Sequence, residues 1–221
     1  MKDKLNFYIN GQWVESDSKE RIEIINPANE ELIGHVTSGT KEDINKAVSA
    51  ASDAFQTYQF SSKEDRIEIL KNIITEYENR YDDLVQVITE EMGAPTWLSQ
   101  KAQASTGIKN LHETLDALKE YEFEKKEGDY TLIREPIGVI GMITPWNWPM
   151  NQITTKASAA LAAGCSMILK PSEISPYCAL LLAEIFDKAG VPAGVFNVVN
   201  GYGPIVGAAL SDHPDVAMMS F

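Results

Sequence analysis

Apolar and polar positions alternate through the opening N-F-Y-I-N-G-Q-W-V, and Asn10-Gly11 at its centre is a two-residue turn of the type that closes hairpins. Two more short runs, Arg21–Ile25 and Leu32–Val36, flank N-P-A-N-E, where Pro27 restricts the residue before it and favours a turn. At Thr40 the period becomes helical. Thr40 and Asp43 stand at capping-box spacing, and Ile44, Ala47, Val48, Ala51 and Phe55 share one face. Ser61 or Ser62 opens a second helix, with Ile67, Leu70, Ile73, Ile74 and Tyr77 on its stripe and Leu84, Val87 and Ile88 continuing it to Gly93. A further helical stretch covers Ser99–Lys119.

Alternation returns across Glu120–Arg134, with Gly128-Asp129 near the turn and charges on both flanks, which predicts an exposed pair of antiparallel strands. From Pro136 the pattern changes again: I-G-V-I-G-M-I, a helix over Gln152–Ala163, S-M-I-L-K, a helix over Pro176–Ala189, G-V-F-N-V-V, a helix over Pro204–Leu210, and V-A-M-M-S-F. Short apolar runs separated by helices predict a parallel sheet with right-handed crossovers. Gly164 and Gly190 stand where helices of that block would stop, the residue type that enters the left-handed C′ conformation most easily. The fold class is therefore α/β. A hairpin and helical lead-in occupies 1–118, a protruding hairpin arm 119–135, and the first half of a Rossmann-like domain 136–221.

Composition narrows the partners. Lys and Arg number 19 against 32 Asp and Glu, a formal charge of −13 that repels phosphate backbones and anionic lipid, so nucleic-acid and membrane partners are not expected. The first twenty residues mix charge with aromatics and lack the apolar stretch of about 7–15 residues that a secretory signal needs. No later run reaches the roughly 18 apolar residues that span a bilayer. A cytoplasmic location and two free thiols, Cys165 and Cys178, follow as expectations. His35, His112 and His213 pair with no Cys or carboxylate at ligand spacing, so no metal is assigned.

In an open parallel sheet ligands bind beyond the carboxyl ends of the strands, which directs attention to three junctions. The first is T-P-W-N-W-P after I-G-V-I-G-M-I. Asn147 there can direct its amide at a developing oxyanion, or else cap the following helix while the tryptophans bury. The second is I-L-K-P-S-E, where Lys170 and Glu173 can bond ribose hydroxyls, the carboxylate opposing a 2′-phosphate, unless the segment is a plain solvated loop. The third, N-G-Y-G-P-I-V-G, has G-x-G-x-x-x-G spacing and is a weak Rossmann fingerprint. It is read either as packing against a nucleotide or as a helix start in which Gly203 allows close approach and Pro204 opens the helix.

Taken in order, R-E-P-I-G-V-I-G-M-I-T-P-W-N-W-P, A-A-L-A-A-G, I-L-K-P-S-E, A-G-V-P-A-G-V-F-N-V-V-N-G-Y-G and S-D-H-P-D-V resemble the NAD(P)-dependent aldehyde dehydrogenase superfamily. The specific match runs over about Arg134–Phe221; I-N-G-Q-W-V, N-P-A-N-E and E-E-M-G-A-P extend it more loosely towards the start. The resemblance implies oxidation of an aldehyde to an acid through a cysteine thiolate, an Asn-stabilised oxyanion, hydride transfer to a nicotinamide and a glutamate base. Carried onto this sequence, it makes Asn147 the oxyanion donor. Ile143, Thr144, Pro145 and Trp146 line the nicotinamide-ribose side of NAD, with NADP as the alternative cofactor. Lys170, Ser172 and Glu173 surround the adenosine ribose, and Gly203 and Gly207 stand beside the adenine.

The same resemblance makes Glu120–Arg134 an arm that joins subunits into a homodimer or homotetramer. Met150, Asn151 and Thr154 are expected near the aldehyde. Neither Cys165, before a buried strand, nor Cys178, in the first turn of a helix, is expected to be the nucleophile, since buried cysteines usually serve as inert packing. Two readings stay open: the N-terminal, cofactor-binding part of an aldehyde dehydrogenase that is inactive without the rest, or a finished non-catalytic module that binds nucleotide or assembles with longer relatives.

Overall fold

A computed structural model describes residues 3–221. The first two residues of the opening segment, part of the reading on secretory signals, lie outside the described ones. β1 (Phe7–Ile9) and β2 (Gln12–Val14) form the expected hairpin. Asn10 and Gly11 have φ of 54° and 71°, the pair of positive angles that a tight hairpin turn requires. β3 (Arg21–Asn26) and β4 (Glu31–Thr37) pair antiparallel around N-P-A-N-E, with a bulge between Ile24 and Ile25.

The capping box at Thr40 is present. Thr40 Oγ1 accepts from the Asp43 amide, while Asp43, itself buried, accepts from the Thr40 amide at 2.9 Å and the Ser16 hydroxyl at 2.8 Å. α1 (Lys41–Tyr58) then buries Ile44, Ala47, Val48 and Ala51 against the sheet, leaving Phe55 half-buried. Thr40→Ala removes one acceptor from the helix start and is expected to lower stability by about 1 kcal/mol, measured by urea denaturation.

The stripe read as one helix from Ser62 to Gly93 is two helices. α2 (Lys63–Asn79) is capped by Ser62, and α3 (Tyr81–Met92) follows a break at Arg80, whose φ is −108° and ψ 15°. Tyr77 and Leu84 are seven residues apart, so the apolar period crosses the break unmarked. What turns the chain is tertiary: the Arg80 guanidinium is drawn to Asp83 and to Glu184 on a later helix. The last helical stretch of the lead-in is α4 (Thr96–Leu98), a π-helical turn over Ser99–Ala104, and α5 (Ser105–Glu120).

β5 (Glu124–Glu127) and β6 (Tyr130–Ile133) form the arm as a separate two-stranded ribbon, turning at Gly128 with φ 64°. Four parallel strands follow, β7 (Val139–Ile143), β8 (Ser166–Lys170), β9 (Phe196–Val198) and β10 (Met218–Ser220). Between them lie α6 (Pro149–Ala163), α7 (Tyr177–Lys188), and a π-helical turn over Gly203–Gly207 that runs into α8 (Ala208–Ser211). Gly164 and Gly190 end their helices at φ 84° and 82°, as expected. The sheet order is β10-β7-β8-β9-β1-β2.

One feature exceeds the expectation. The opening hairpin does not stand apart but extends the parallel sheet, β1 pairing antiparallel to β9 with Tyr8 opposite Val198. Alternation specifies a hairpin but not its docking partner, which depends on the exposed edge of β9. The lead-in and the parallel strands therefore share one sheet, and the buried side chains of both pack together. Among the described residues no helix is long and apolar enough to cross a membrane.

Candidate functional site

Parallel pairing aligns the carboxyl ends of the strands at one edge. Ile143 is opposite Lys170, Met142 is opposite Ser220, and the Val199 amide bonds the Leu169 carbonyl at 3.0 Å. The three junctions singled out in the sequence thus lie side by side. The Thr144 amide donates to the Lys170 carbonyl at 3.2 Å, tying the first to the second. A Cβ built on Gly207 would lie 3.4 Å from Ile143 Cδ1, which brings the third against the first.

At the first junction Ile143 is half-buried and Thr144 buried, while Pro145, Trp146, Asn147 and Trp148 are exposed. Both bland alternatives fail. Trp148, not Asn147, is the N-cap of α6, and no side chain caps that helix; Trp146 is 52% exposed. The Asn147 side chain is held by no hydrogen bond among the described residues, and only its backbone carbonyl is engaged, by Gln103 Nε2 at 3.3 Å. An amide with both donors uncommitted at a strand's carboxyl end is available to a ligand.

Lys170 at the second junction is 3% exposed, and its ammonium bonds Glu173 Oε2 at 2.6 Å. Burial, the largest single influence, would raise the Glu173 carboxyl, but the Lys170 hydrogen bond, a backbone hydrogen bond and the Lys170 charge together hold it below the usual carboxylate range. Ser172 is buried, its hydroxyl accepting from the Ile174 amide, and the Ser175 hydroxyl reaches the Trp146 carbonyl at 3.5 Å. This is a built cluster at a sheet edge and not a solvated loop.

At the third junction the helix start is confirmed, with Pro204 in its first turn. The close approach assigned to Gly203 is not to this chain: a Cβ there would meet nothing within 4 Å. Gly201 is the constrained glycine instead, at φ 151°, where a Cβ would come within 3.0 Å of the Gly39 amide and closer still to Val206. The space above Gly203 is open to a flat group from outside.

Of the residues expected near an aldehyde, Met150 and Thr154 are excluded, because they are fully buried against α5, beside Gly107 and Asn110. Asn151 is half-buried, and its side-chain oxygen accepts from the Asn110 amide of α5 at 3.0 Å. Cys165 and Cys178 are 2% and 0% exposed, and burial pushes the Cys178 thiol well above its ordinary value, the opposite of an activated nucleophile. No group of three or more His, Cys, Asp or Glu among the described residues could hold a metal ion.

Sequence reasoning missed two buried polar residues that support this edge. Glu91 caps the start of α7, accepting from the Tyr177 and Cys178 amides at 2.6 and 2.9 Å, and burial raises its carboxyl to about 7. Gln103, 1% exposed, reaches the Asn147 loop from the π-helical turn. Both lie on helices whose polar residues read as a solvated face, so no local signal marks them.

The sequence matches the aldehyde dehydrogenase family over residues 13–221. A Staphylococcus aureus (strain USA300) protein that carries the provisional name aldehyde dehydrogenase is 53% identical over all 221 residues, which cover 46% of that protein. The crystal structure of an aldehyde dehydrogenase from Bartonella henselae superposes with a TM-score of 0.98 at 44% identity, covering 100% of this chain and 47% of that one. A mutant of aldehyde dehydrogenase C from Pseudomonas syringae, complexed with NAD+ and octanal, gives 0.96 at 44% identity, covering 97% and 44%. The chain thus spans just under half the length of the curated relatives it matches.

Proposed function

Because this chain belongs to the aldehyde dehydrogenase family, we propose that it supplies the cofactor-binding part of an enzyme that oxidises an aldehyde to a carboxylic acid using NAD, with NADP as the alternative. The observation that carries this reading is Asn147, exposed beyond β7 and neither capping α6 nor bonded by its side chain. The Pseudomonas syringae relative holding NAD+ and octanal supports the pairing of cofactor and substrate class.

A bound nicotinamide would supply the hydride acceptor. This chain's residues position and polarise. Asn147 donates its amide to the substrate oxygen as negative charge develops there, in a geometry fixed before reaction. Ile143, Thr144, Pro145 and Trp146 wall the nicotinamide-ribose side. The Glu173 carboxylate, oriented by Lys170 and flanked by Ser172, accepts from ribose hydroxyls. Gly203, with open space above it, and Gly207 lie beside the adenine.

The nucleophile and the base are placed outside residues 1–221, which the 46% coverage of relatives and the burial of both cysteines support. On this reading 136–221 is half of a Rossmann-like domain with 1–118 as its lead-in, and the segment is inactive by itself. The arm, 119–135, exposes Tyr130, Leu132 and Ile133 on an isolated ribbon, an edge that natural proteins cover. We assign it to assembly of a homodimer or homotetramer.

A crystal structure of the native enzyme with NAD tests the site. The adenosine is expected between Glu173 and the Gly203–Gly207 turn; density elsewhere would overturn the assignment. Glu173→Gln should narrow any preference for NAD over NADP by roughly tenfold, because a 2′-phosphate then meets no charge of its own sign. An unchanged ratio of kcat/KM values for the two cofactors would remove Glu173 from cofactor selection.

A further inference from the structure

We propose that Gln103 is a positioning residue for the oxyanion donor: its buried amide holds the backbone carbonyl of Asn147 and thereby fixes where the Asn147 side chain points. The proposal rests on the reading of Asn147 given above. Gln103 is 1% exposed, and its Nε2 lies 3.3 Å from the Asn147 carbonyl oxygen across 44 positions of sequence.

Three observations separate this contact from ordinary packing. First, among the described residues it is the hydrogen bond the structure gives to Asn147, a residue exposed among exposed neighbours from Pro145 to Trp148. The loop's other side-chain tether is the long bond from the Ser175 hydroxyl to the Trp146 carbonyl, at 3.5 Å, and no side chain caps the helix it enters. Second, Gln103 sits in a π-helical turn over Ser99–Ala104, between α4 and α5. A π-helical turn is an uncommon, locally widened element found often at functional sites, and here Gln103 and Ala104 are both buried within it. Third, Gln103 Oε1 is buried with no hydrogen-bond partner among the described residues. Burying an unsatisfied amide oxygen costs stability, of a kind that an apolar side chain of the same size would relieve. A residue kept for packing would not carry that atom; one kept for its NH2 group has to.

The physical consequence is a lever. Asn147 precedes Trp148, the N-cap of α6, so the rigid helix fixes the loop on one side and the hydrogen bond from Gln103 fixes the carbonyl of Asn147 itself. Releasing that carbonyl lets the peptide plane rotate and carries the side-chain amide away from the substrate oxygen. Oxyanion stabilisation depends on donors standing in place before the charge appears, so such a rotation lowers kcat without weakening cofactor binding.

The test is a double-mutant cycle in the native enzyme, with Gln103→Met as the variant of similar size. Gln103→Met is expected to lower kcat roughly tenfold and leave KM for NAD within a factor of two, with no further loss when added to Asn147→Ala. Gln103→Leu, which likewise has no donor, should do the same, and it substitutes for the Met variant if that one fails to fold. Unchanged kcat in both variants, or a loss that multiplies in full with that of Asn147→Ala, would overturn the role of Gln103 while leaving Asn147 in place. Full activity of Asn147→Ala would overturn both roles together.

Discussion

Asn147→Ala is expected to slow aldehyde oxidation by the native enzyme roughly 10²–10³-fold, the usual effect of losing one preorganised oxyanion donor. The loss should fall on kcat for acylation and hydride transfer, because the ground-state carbonyl demands less of the donor than the developing oxyanion does. NAD affinity should hardly change, since on the proposed reading Asn147 would meet the cofactor only at its reacting end. Stability should hold as well: the side chain is exposed, bonds nothing among the described residues and does not cap α6. Single-turnover kinetics separates these quantities. Turnover within threefold of the parent enzyme would show that Asn147 does not stabilise the oxyanion.

The second large effect is on folding. Arg66→Ala is expected to lower the stability of the folded chain by about 3 kcal/mol, because it removes the shared donor from three part-buried acceptors and opens a cavity. Arg66 is 5% exposed and, among the described residues, makes none of the close ion pairs with a carboxylate found elsewhere. Its guanidinium donates to the Ser61 hydroxyl at 2.8 Å, the Gln59 carbonyl at 3.0 Å and the Ala162 carbonyl at 3.3 Å. Gln59 closes α1 and Ala162 lies in the last turn of α6, so one cation faces the negative ends of two helices. It also stacks over Phe123 at 5.4 Å, joining the base of the arm to this junction.

Gly164 belongs to the same arrangement, since a Cβ there would lie 2.5 Å from the guanidinium. Arg66→Lys should recover little, because a single ammonium cannot serve three divergent acceptors. Guanidinium-chloride unfolding measures the change. A loss below about 1 kcal/mol would mean that water replaces the guanidinium at those carbonyls.

Where the chain's periodicity reported contacts within one element, the sequence was readable. The Asn10-Gly11 turn, the Thr40 and Asp43 cap, the arm hairpin and the four parallel strands all follow from side chains acting on their own neighbourhood. Asn147, Lys170 and Glu173 were singled out because strand ends in a parallel sheet converge, and the register does place Ile143, at the head of the first junction, opposite Lys170.

What escaped notice depended on partners distant in sequence. The break at Arg80 answers to Glu184, the opening hairpin finds its place against β9, and Arg66 reads as one charge in E-D-R-I-E-I-L until α6 is folded over it. Gly201 was visible as a glycine, but its strained angle follows from how closely Gly39 and Val206 approach. Met150 and Thr154 looked near the chemistry because they follow Asn147 in sequence; the turn of the helix points both into the core.

The most direct test is NADH formation after an aldehyde is added to the native enzyme and, in parallel, to residues 1–221 produced separately. The native enzyme is expected to form NADH at a rate set by aldehyde and enzyme, and residues 1–221 to form none. NADH produced by residues 1–221, or none produced by the native enzyme with any aldehyde tried, would contradict the account.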